Sequence, residues 1–496
     1  MKHTKNQQLQ IGIVGLGRIA DLHFPGYAKN RHARIYAVCD ANGDLAAARK
    51  KEWKAERAYT DFGEMLADPA LDAVEILTPQ RLHESMAVAA AMAGKHVALQ
   101  KPMTTDLASA DRIIGAVAKS GIVFKVTENY IFYPPILLAR KLINDGAIGA
   151  PQGLRIKLTS GGSGGWDVPA SSWEWRMREK AEGRGMQTFD HGHHLYSTAR
   201  FLMGEVERLA AWIDSIDGVV DSPATIMLKF AGKTAHGVID YTISPDLALP
   251  SRYYANDEWI EVTGSAGIIV INRCTGLLRP GPVLGLFTGK KWKWFNEKSD
   301  WREGFIGATH NFIRAMRGEE EPNLSGPAGR DVLRIALAVA QSARERREVY
   351  PGDMGRTFPR LRALARRRRE IRAARSPRGD HARGGDPLVA ARLIEELPGR
   401  YDPTAVPRWR CVAGIEVLPE GGATGAAYIL RIGKDGTRIV RGALPKSVAV
   451  VLVAPAGTWA AILSGGESIE SAFLRGALAV RGKAEEGLKL KAAFRL

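Results

Sequence analysis

Cysteine is scarce in this chain. The three present among 496 residues, Cys39, Cys274 and Cys411, are far apart and odd in number. They support neither a disulfide framework nor a Cys-x-x-Cys metal site, and a reducing cytoplasm is the expected home. Long apolar runs are also missing. The longest, Val448 to Ile462, is broken by Pro455 and Gly457. It falls short of the ~20 residues a spanning helix needs, so no membrane span is expected. The first ten residues are polar and basic, and no secretory leader is expected from them. Acidic residues are outnumbered, leaving a net charge of +17. Residues 355–385 carry eleven arginines against Glu370 and Asp380, a surplus of nine in one short segment. Such a run reads as a solvated helix end plus a linker. No aromatic residue follows Phe358 there to stack on bases, so a nucleic-acid partner is not expected.

What remains is the composition of a soluble globular protein, 45% hydrophobic and 25% charged. A single core rarely grows past ~250–300 residues, so several domains are expected. The divisions read from the sequence are 1–128, 129–354, an arginine-rich linker over 355–386, and 387–496. The fold class expected is α/β: a parallel nucleotide-binding sheet, an α/β domain with an open, mainly antiparallel sheet, then a small α/β domain.

Gln10 to Ala20, QIGIVGLGRIA, organises the first part. Ile11, Ile13 and Val14 suit a buried parallel strand. Gly15-Leu16-Gly17-Arg18-Ile19-Ala20 then reads as the tight turn and first residues of a dinucleotide-binding helix, with Gly15 permitting the turn, Gly17 the approach of a pyrophosphate, and Ala20 close helix packing. Free N–H groups at that helix N-terminus would receive the pyrophosphate. The next strand, ARIYAVCD, ends on Asp40, 20 residues beyond Ala20. A carboxylate there binds ribose hydroxyls and repels a 2′-phosphate, so NAD is expected rather than NADP.

Strand and helix patterns alternate to about residue 128. Asp44 is placed as the cap of a helix over Leu45 to Glu52. Strands are expected at 73–77, 96–99 and 123–126, and helices at 82–93 and 106–119. This alternation implies a parallel sheet with right-handed crossovers and a ligand outside its carboxyl ends. Gly15, Asp40, Thr78-Pro79, Lys101 and Glu128-Asn129 collect at those ends. From Gln152 the segments GLRIKLTS, ATIMLKFAG, TAHGVIDYTI and WIEVTGSAGIIVIN read as strands of a different sheet.

Two motifs here resemble the Gfo/Idh/MocA oxidoreductases: TPQRLHESMAVAAAMAGKHVALQKP, residues 78–102, and VTENYIFYP, residues 126–134. A third, GRGMQTFDHGHHLYSTARFLMG over 183–204, resembles that family's GGxxxDxGxH pattern. The resemblance runs from about Leu9 to Tyr350. It implies a Rossmann domain, NAD or NADP, oxidation of sugar or polyol hydroxyls, and Lys101, Asp190 and His194 meeting over the nicotinamide. It also implies that Thr78, Pro79 and Asn129 border the nicotinamide ribose, in a cofactor site shared with Gly15, Gly17, Arg18, Ile19, Asp40, His83, Gln100 and Lys101. Gln100 stands where the family motif has glutamate, which withdraws a negative charge from beside Lys101.

Asp190 and His194 are i,i+4 on an expected helix and so share a face. His194 is the expected general base, Asp190 its orienting carboxylate, and Lys101 the holder of the reacting hydroxyl. Gly192 is expected to leave the helix bare for a substrate ring, and His191 and His193 to point elsewhere. Asp190, His191, His193 and His194 spread around the helix, so no metal is expected. Trp166, Trp173, Trp175, Trp292, Trp294 and Trp301 are placed on the substrate side, with Trp173, Trp175 and Arg176 as candidate substrate contacts. A homo-oligomer is expected.

Beyond the arginine run, SGGESIESAFLRGALAVRGKAEEGLKLKAAF resembles the closing portion of sterol carrier protein type 2-like domains. Gly465, Ala472-Phe473, Gly476 and Gly482 hold the motif positions, and the resemblance implies a lipid or other hydrophobic ligand between sheet and helices. Two alternatives to an NAD-dependent dehydrogenase stay open. One is a redox-neutral enzyme that retains NAD and works through transient oxidation. The other is a non-catalytic carrier or sensor.

Overall fold

The computed structural model describes residues 8–168, 170–216, 218–354, 387–407, 409–419, 425–433 and 436–494. The arginine-rich stretch lies outside them. The described chain forms two compact units, divided near Gly355.

The first unit opens with the parallel strands β1 (Leu9–Val14), β2 (Ala33–Cys39), β3 (Arg57–Tyr59), β4 (Ala73–Ile76), β5 (His96–Gln100) and β6 (Phe124–Thr127). Their order across the sheet is 3-2-1-4-5-6, every neighbouring pair parallel. Ile11 and Ile13 are fully buried, each worth ~1.5–3 kcal/mol against exposure. The crossovers run through α1 (Ala20–Ala28), α2 (Gly43–Trp53), α3 (Phe62–Ala67), α4 (His83–Met92) and α5 (Leu107–Ser120). The cap of α2 differs from expectation. Asn42, with extended backbone, accepts from the Leu45 N–H, and Asp44 falls inside the first turn. Strand β3 and helix α3, too short to show a period, were not expected.

After α6 (Pro134–Asn144) the second sheet begins with the long strand β7 (Pro151–Ser163). Helix α7 (Ala170–Ala181), a π-helical turn (Met186–His191) and α8 (Gly192–Met203) follow. The chain then returns through β8 (Val206–Ile213), β9 (Ala224–Phe230), β10 (His236–Ala248), β11 (Asn256–Gly264), β12 (Ile268–Ile271), β13 (Leu284–Phe287) and β14 (Trp292–Phe295). The eight strands lie in the order 14-13-12-11-7-10-9-8, and only β7 and β10 are parallel neighbours. Helices α9 (Arg302–Met316) and α10 (Gly326–Glu345) turn back, α9 against α1 and α10 against α5, α8 and β8. Leu99 and Val126 of the first sheet share one hydrophobic core with Ile156, Leu158 and Ile226 of the second.

The second unit starts with α11 (Pro387–Glu395) and the meander β15 (Cys411–Leu418), β16 (Ala426–Gly433) and β17 (Gly436–Arg441). It continues through β18 (Val450–Pro455), α12 (Ala456–Leu463), α13 (Ile469–Leu474), β19 (Ala479–Gly482) and α14 (Ala484–Phe494). The order is 17-16-15-18-19, with β15 and β18 parallel. Trp459, Tyr428, Leu430 and Phe494 anchor its own core, and the Trp459 indole donates to the Glu416 carbonyl. Among the described residues no helix is long and apolar enough to cross a membrane.

Candidate active site

A cleft of about 1060 Å³ opens at the carboxyl ends of β1, β2, β4 and β5. Gly15 sits at its floor with φ +86°, and a Cβ there would lie 2.8 Å from the Leu77 carbonyl carbon. Only glycine fits this turn. Gly17 faces open space. Asp40 closes the turn, its Oδ2 accepting from the Leu16 N–H at 2.8 Å. Arg18, Ile19, Asp40, Thr78, Pro79, Gln100 and Lys101 all line the cleft. A positive-φ glycine turn, an open glycine before a helix start and a carboxylate at the β2 end together form the cradle a dinucleotide needs.

Two expected cofactor residues lie elsewhere. His83 is buried behind the wall, its ring within 2.9 Å of the Pro102 carbonyl and 2.8 Å of the Thr78 carbonyl. It ties those two segments together instead of facing a ligand. Asn129 is also buried outside the lining, and neither atom of its amide has a partner.

The opposite wall comes from the second sheet and the π-helical turn. The Asp221 carboxylate caps the start of that turn, accepting from the N–H groups of Gln187 and Thr188 at 2.8 and 2.7 Å, and the Asp190 N–H donates to the Gly185 carbonyl at 3.0 Å. Tyr196 then donates its hydroxyl to the Thr188 carbonyl at 2.6 Å. Gly192 makes room for this tyrosine: a Cβ there would meet the ring at 2.8 Å. The space expected for a substrate ring is filled by Tyr196. The widened turn places Asp190, His191 and His194 on the cleft wall together. π-Helical turns recur at functional sites for this reason.

Asp190 and His194 share the cleft but do not bond each other. Lys101 Nζ donates to the Asp190 carboxylate and to its backbone carbonyl, each at 2.9 Å. Burial alone would raise the Asp190 pKa, but the charges of Lys101 and Arg176 hold the carboxyl well below its usual range. The partner of His194 is Glu128, whose Oε1 lies 2.6 Å from Nδ1. Burial lifts Glu128 to about 7 and, with the Lys101 charge, pushes His194 well below the ordinary histidine range. His194 is therefore a neutral imidazole at neutral pH, and its bonded Nδ1 leaves Nε2 for the cleft. Asp190 was expected to orient it; the β6 end supplies a nearer carboxylate.

His191, expected to point away, lines the same wall, 3.0 Å from Glu258 Oε1 through its Nε2. His193 does turn inward, to the Phe189 carbonyl. Tyr130 joins the two His–Glu pairs: its N–H donates to Glu128, its hydroxyl to Glu258 at 2.8 Å, and its ring stacks on His194 at 4.5 Å. Glu258 and Tyr130 escaped the sequence reading. The available signal was Asp257-Glu258, two adjacent carboxylates at the start of a strand whose following residues include Trp259, Ile260 and Val262.

Trp173, Trp175 and Arg176 of α7 line the cleft, with the Arg176 guanidinium 4.5 Å over the Trp175 ring. Trp166 and Trp301 join them, and Arg18 stacks on Trp166 at 4.8 Å. Trp292 and Trp294 do not. They stack on each other on the edge strand β14, about two-fifths exposed. Their side chains sit at the far end of the sheet from β7, which carries the wall. Among the described residues no cluster of three or more His, Cys, Asp or Glu could hold a metal.

A parallel 3-2-1-4-5-6 sheet with a glycine cradle, joined to an open sheet that brings a lysine–carboxylate and two histidine–carboxylate pairs to the same cleft, defines a nucleotide-dependent oxidoreductase class. Residues 9–128 match the model of the oxidoreductase family with NAD-binding Rossmann fold, GFO/IDH/MocA, and residues 136–270 match the model of its C-terminal domain. The chain belongs to this family, and its N-terminal domain is an NAD-binding one. Myo-inositol 2-dehydrogenase of Thermotoga maritima is 29% identical over 352 residues, 69% of this chain and 98% of that protein. D-Apiose dehydrogenase of Paraburkholderia graminis is 28% identical over 361 residues, 70% of this chain and 90% of that protein. A solved structure of levoglucosan dehydrogenase in complex with NADH and levoglucosan superposes with TM-score 0.59 at 25% identity, covering 69% of this chain and 99% of that one.

Proposed function

We propose that the protein oxidises a secondary hydroxyl of a sugar, glycoside or polyol, the hydride passing to NAD. The observation that carries this reading is the meeting of Lys101 and His194 at one cleft beside the glycine cradle. Bound NAD supplies the hydride acceptor. His194 Nε2 takes the hydroxyl proton, its neutral form favoured by burial and its ring fixed by Glu128. Lys101, held by Asp190, faces the oxygen on which negative charge develops. Trp173, Trp175 and Arg176 offer aromatic faces and a guanidinium to a hydroxyl-rich ring. The names of the relatives, which act on inositol, apiose and levoglucosan, support this substrate class. Asp40, already engaged with the turn, favours NAD over NADP. A panel of cyclic polyols, pentoses and anhydrosugars assayed for NADH absorbance tests the reading, and no turnover with any of them refutes it.

A second reading, redox-neutral catalysis with retained NAD, is favoured by the Arg18–Trp166 stack across the nucleotide loop. NAD that stays bound through gel filtration would support it. For the second unit we keep a hydrophobic ligand of the sterol-carrier kind, supported by exposed Phe473 and Val389 beside a small apolar core. Native mass spectrometry of the purified protein tests it. Cys39, Cys274 and Cys411 are free and buried, which suits a reducing cytoplasm. Trp212, Met227 and Trp294, exposed on the second sheet, suit a homo-oligomer.

A further inference from the structure

We propose that His191, backed by Glu258, is a second acid–base group of the cleft, serving the substrate carbon next to the one that His194 and Lys101 address. The proposal rests on the dehydrogenase reading for its substrate class, the cyclic polyhydroxy ketone which that oxidation produces.

Hydride transfer needs one proton acceptor, and the cleft wall carries two built alike. Each is an imidazole bonded through one nitrogen to a carboxylate that is almost wholly buried. The two rings are 5.3 Å apart, a spacing that neighbouring positions of one small ring can bridge. Glu258 is fully buried while the His191 side chain keeps 15% exposure on the cleft. Glu258 also accepts from Tyr130, from the Thr275 hydroxyl at 2.8 Å and from the Thr275 N–H at 3.2 Å. Burial opposes its charge, but His191, Thr275 and Tyr130 together keep its pKa below the usual value. The carboxylate is thus ionised and receives the Nε2–H of His191, leaving the Nδ1 lone pair free. No partner for Nδ1 occurs among the described residues. This is how a carboxylate sets the tautomer of a catalytic imidazole.

The chemistry open to such a base on a ketone is enolisation. His191 Nδ1 takes the proton from the carbon beside the carbonyl. The C–H electron pair forms the C=C bond, and the carbonyl π pair moves to the oxygen near Lys101. Return of a proton from the imidazolium restores the ketone, so no oxidant or reductant is consumed.

The test uses the full chain loaded with NAD+ in D2O and 2-keto-myo-inositol as probe, with deuterium entry at the carbons flanking the carbonyl followed by proton NMR. Exchange from a supplied ketone does not depend on hydride transfer. NADH formation from the polyol panel is measured in parallel. The wild type is expected to exchange faster than buffer. His191→Asn is expected to lower that rate about 10²-fold and NADH formation by less than about tenfold. His191→Gln is judged in the same way if the first variant does not fold. Exchange no faster than buffer overturns the proposal, as does an equal fall in both activities. Exchange without NADH formation would support the second base and sink the dehydrogenase reading; NADH formation without exchange would do the reverse.

Discussion

Lys101 reaches out from the end of β5 to place Nζ 2.9 Å from both the carboxylate and the carbonyl of Asp190, 89 residues later in the chain. The contact joins the nucleotide-binding sheet to the wall opposite. It also explains why the two residues matter as a pair: neither charge is well solvated where it stands, with side-chain exposures of 13% and 18%.

Asp190→Asn should therefore act on Lys101. Breaking a pair at this depth costs about 3 kcal/mol of stability. The freed lysine loses its aim, and kcat should fall about 10²-fold with a smaller change in NAD affinity. Thermal unfolding and initial rates read the two effects. A variant of unchanged kcat would place the pair outside the chemistry.

Glu128 gives a pH dependence with a defined sign. Its pKa is raised by burial to about 7 from an ordinary value near 4.5, so the folded protein binds the proton more tightly than the unfolded chain. Its contribution is fully present below pH 4.5 and is lost as pH rises toward 7. Glu128→Gln removes this loss. Its stability relative to wild type should rise between pH 4.5 and 7 by an amount on the order of 3 kcal/mol and stay level above. Urea unfolding at pH 5 and pH 8 measures the difference.

Gly192→Ala tests the packing under the π-helical turn. The new methyl would displace the Tyr196 ring, costing ~1–3 kcal/mol. Because Tyr196 holds the Thr188 carbonyl, His191 and His194 should shift with it. A drop in melting temperature should come with a fall in kcat larger than the change in KM for NAD.

Asp40→Ala should weaken NAD and ease the exclusion of NADP. Loss of the carboxylate removes the acceptor for Leu16 N–H together with the repulsion of a 2′-phosphate. The ratio of kcat/KM values for NAD over NADP should fall by roughly tenfold or more, one well-placed charge being worth at least about 1.4 kcal/mol.

Much of the nucleotide half was legible because its signals are local. An apolar strand, a glycine turn and a carboxylate at the next strand end are each defined within a few residues, and Gly15, Asp40 and Lys101 fall on the cleft as spacing and motif imply. The partners of the histidines were not legible. Glu128 and Glu258 are 66 and 67 residues from His194 and His191 in sequence, and β6 and β11 bring them near only after both sheets have formed. The cap of the π-helical turn likewise comes from Asp221, 33 and 34 residues beyond the N–H groups it binds. A 3.6-residue period cannot reveal it. Trp292 and Trp294 were misplaced for a related reason: composition shows that aromatics are present but not which end of a long sheet holds them.

We propose that the neutral His194 imidazole removes the proton from a substrate hydroxyl. The most direct measurement sets NAD affinity, from calorimetry on the His194→Ala variant, beside its single-turnover rate of NADH formation on the best polyol of the panel. The variant is expected to bind NAD with a dissociation constant within about threefold of wild type and to form NADH at a rate lowered at least about 10²-fold. A variant that forms NADH at the wild-type rate would contradict it.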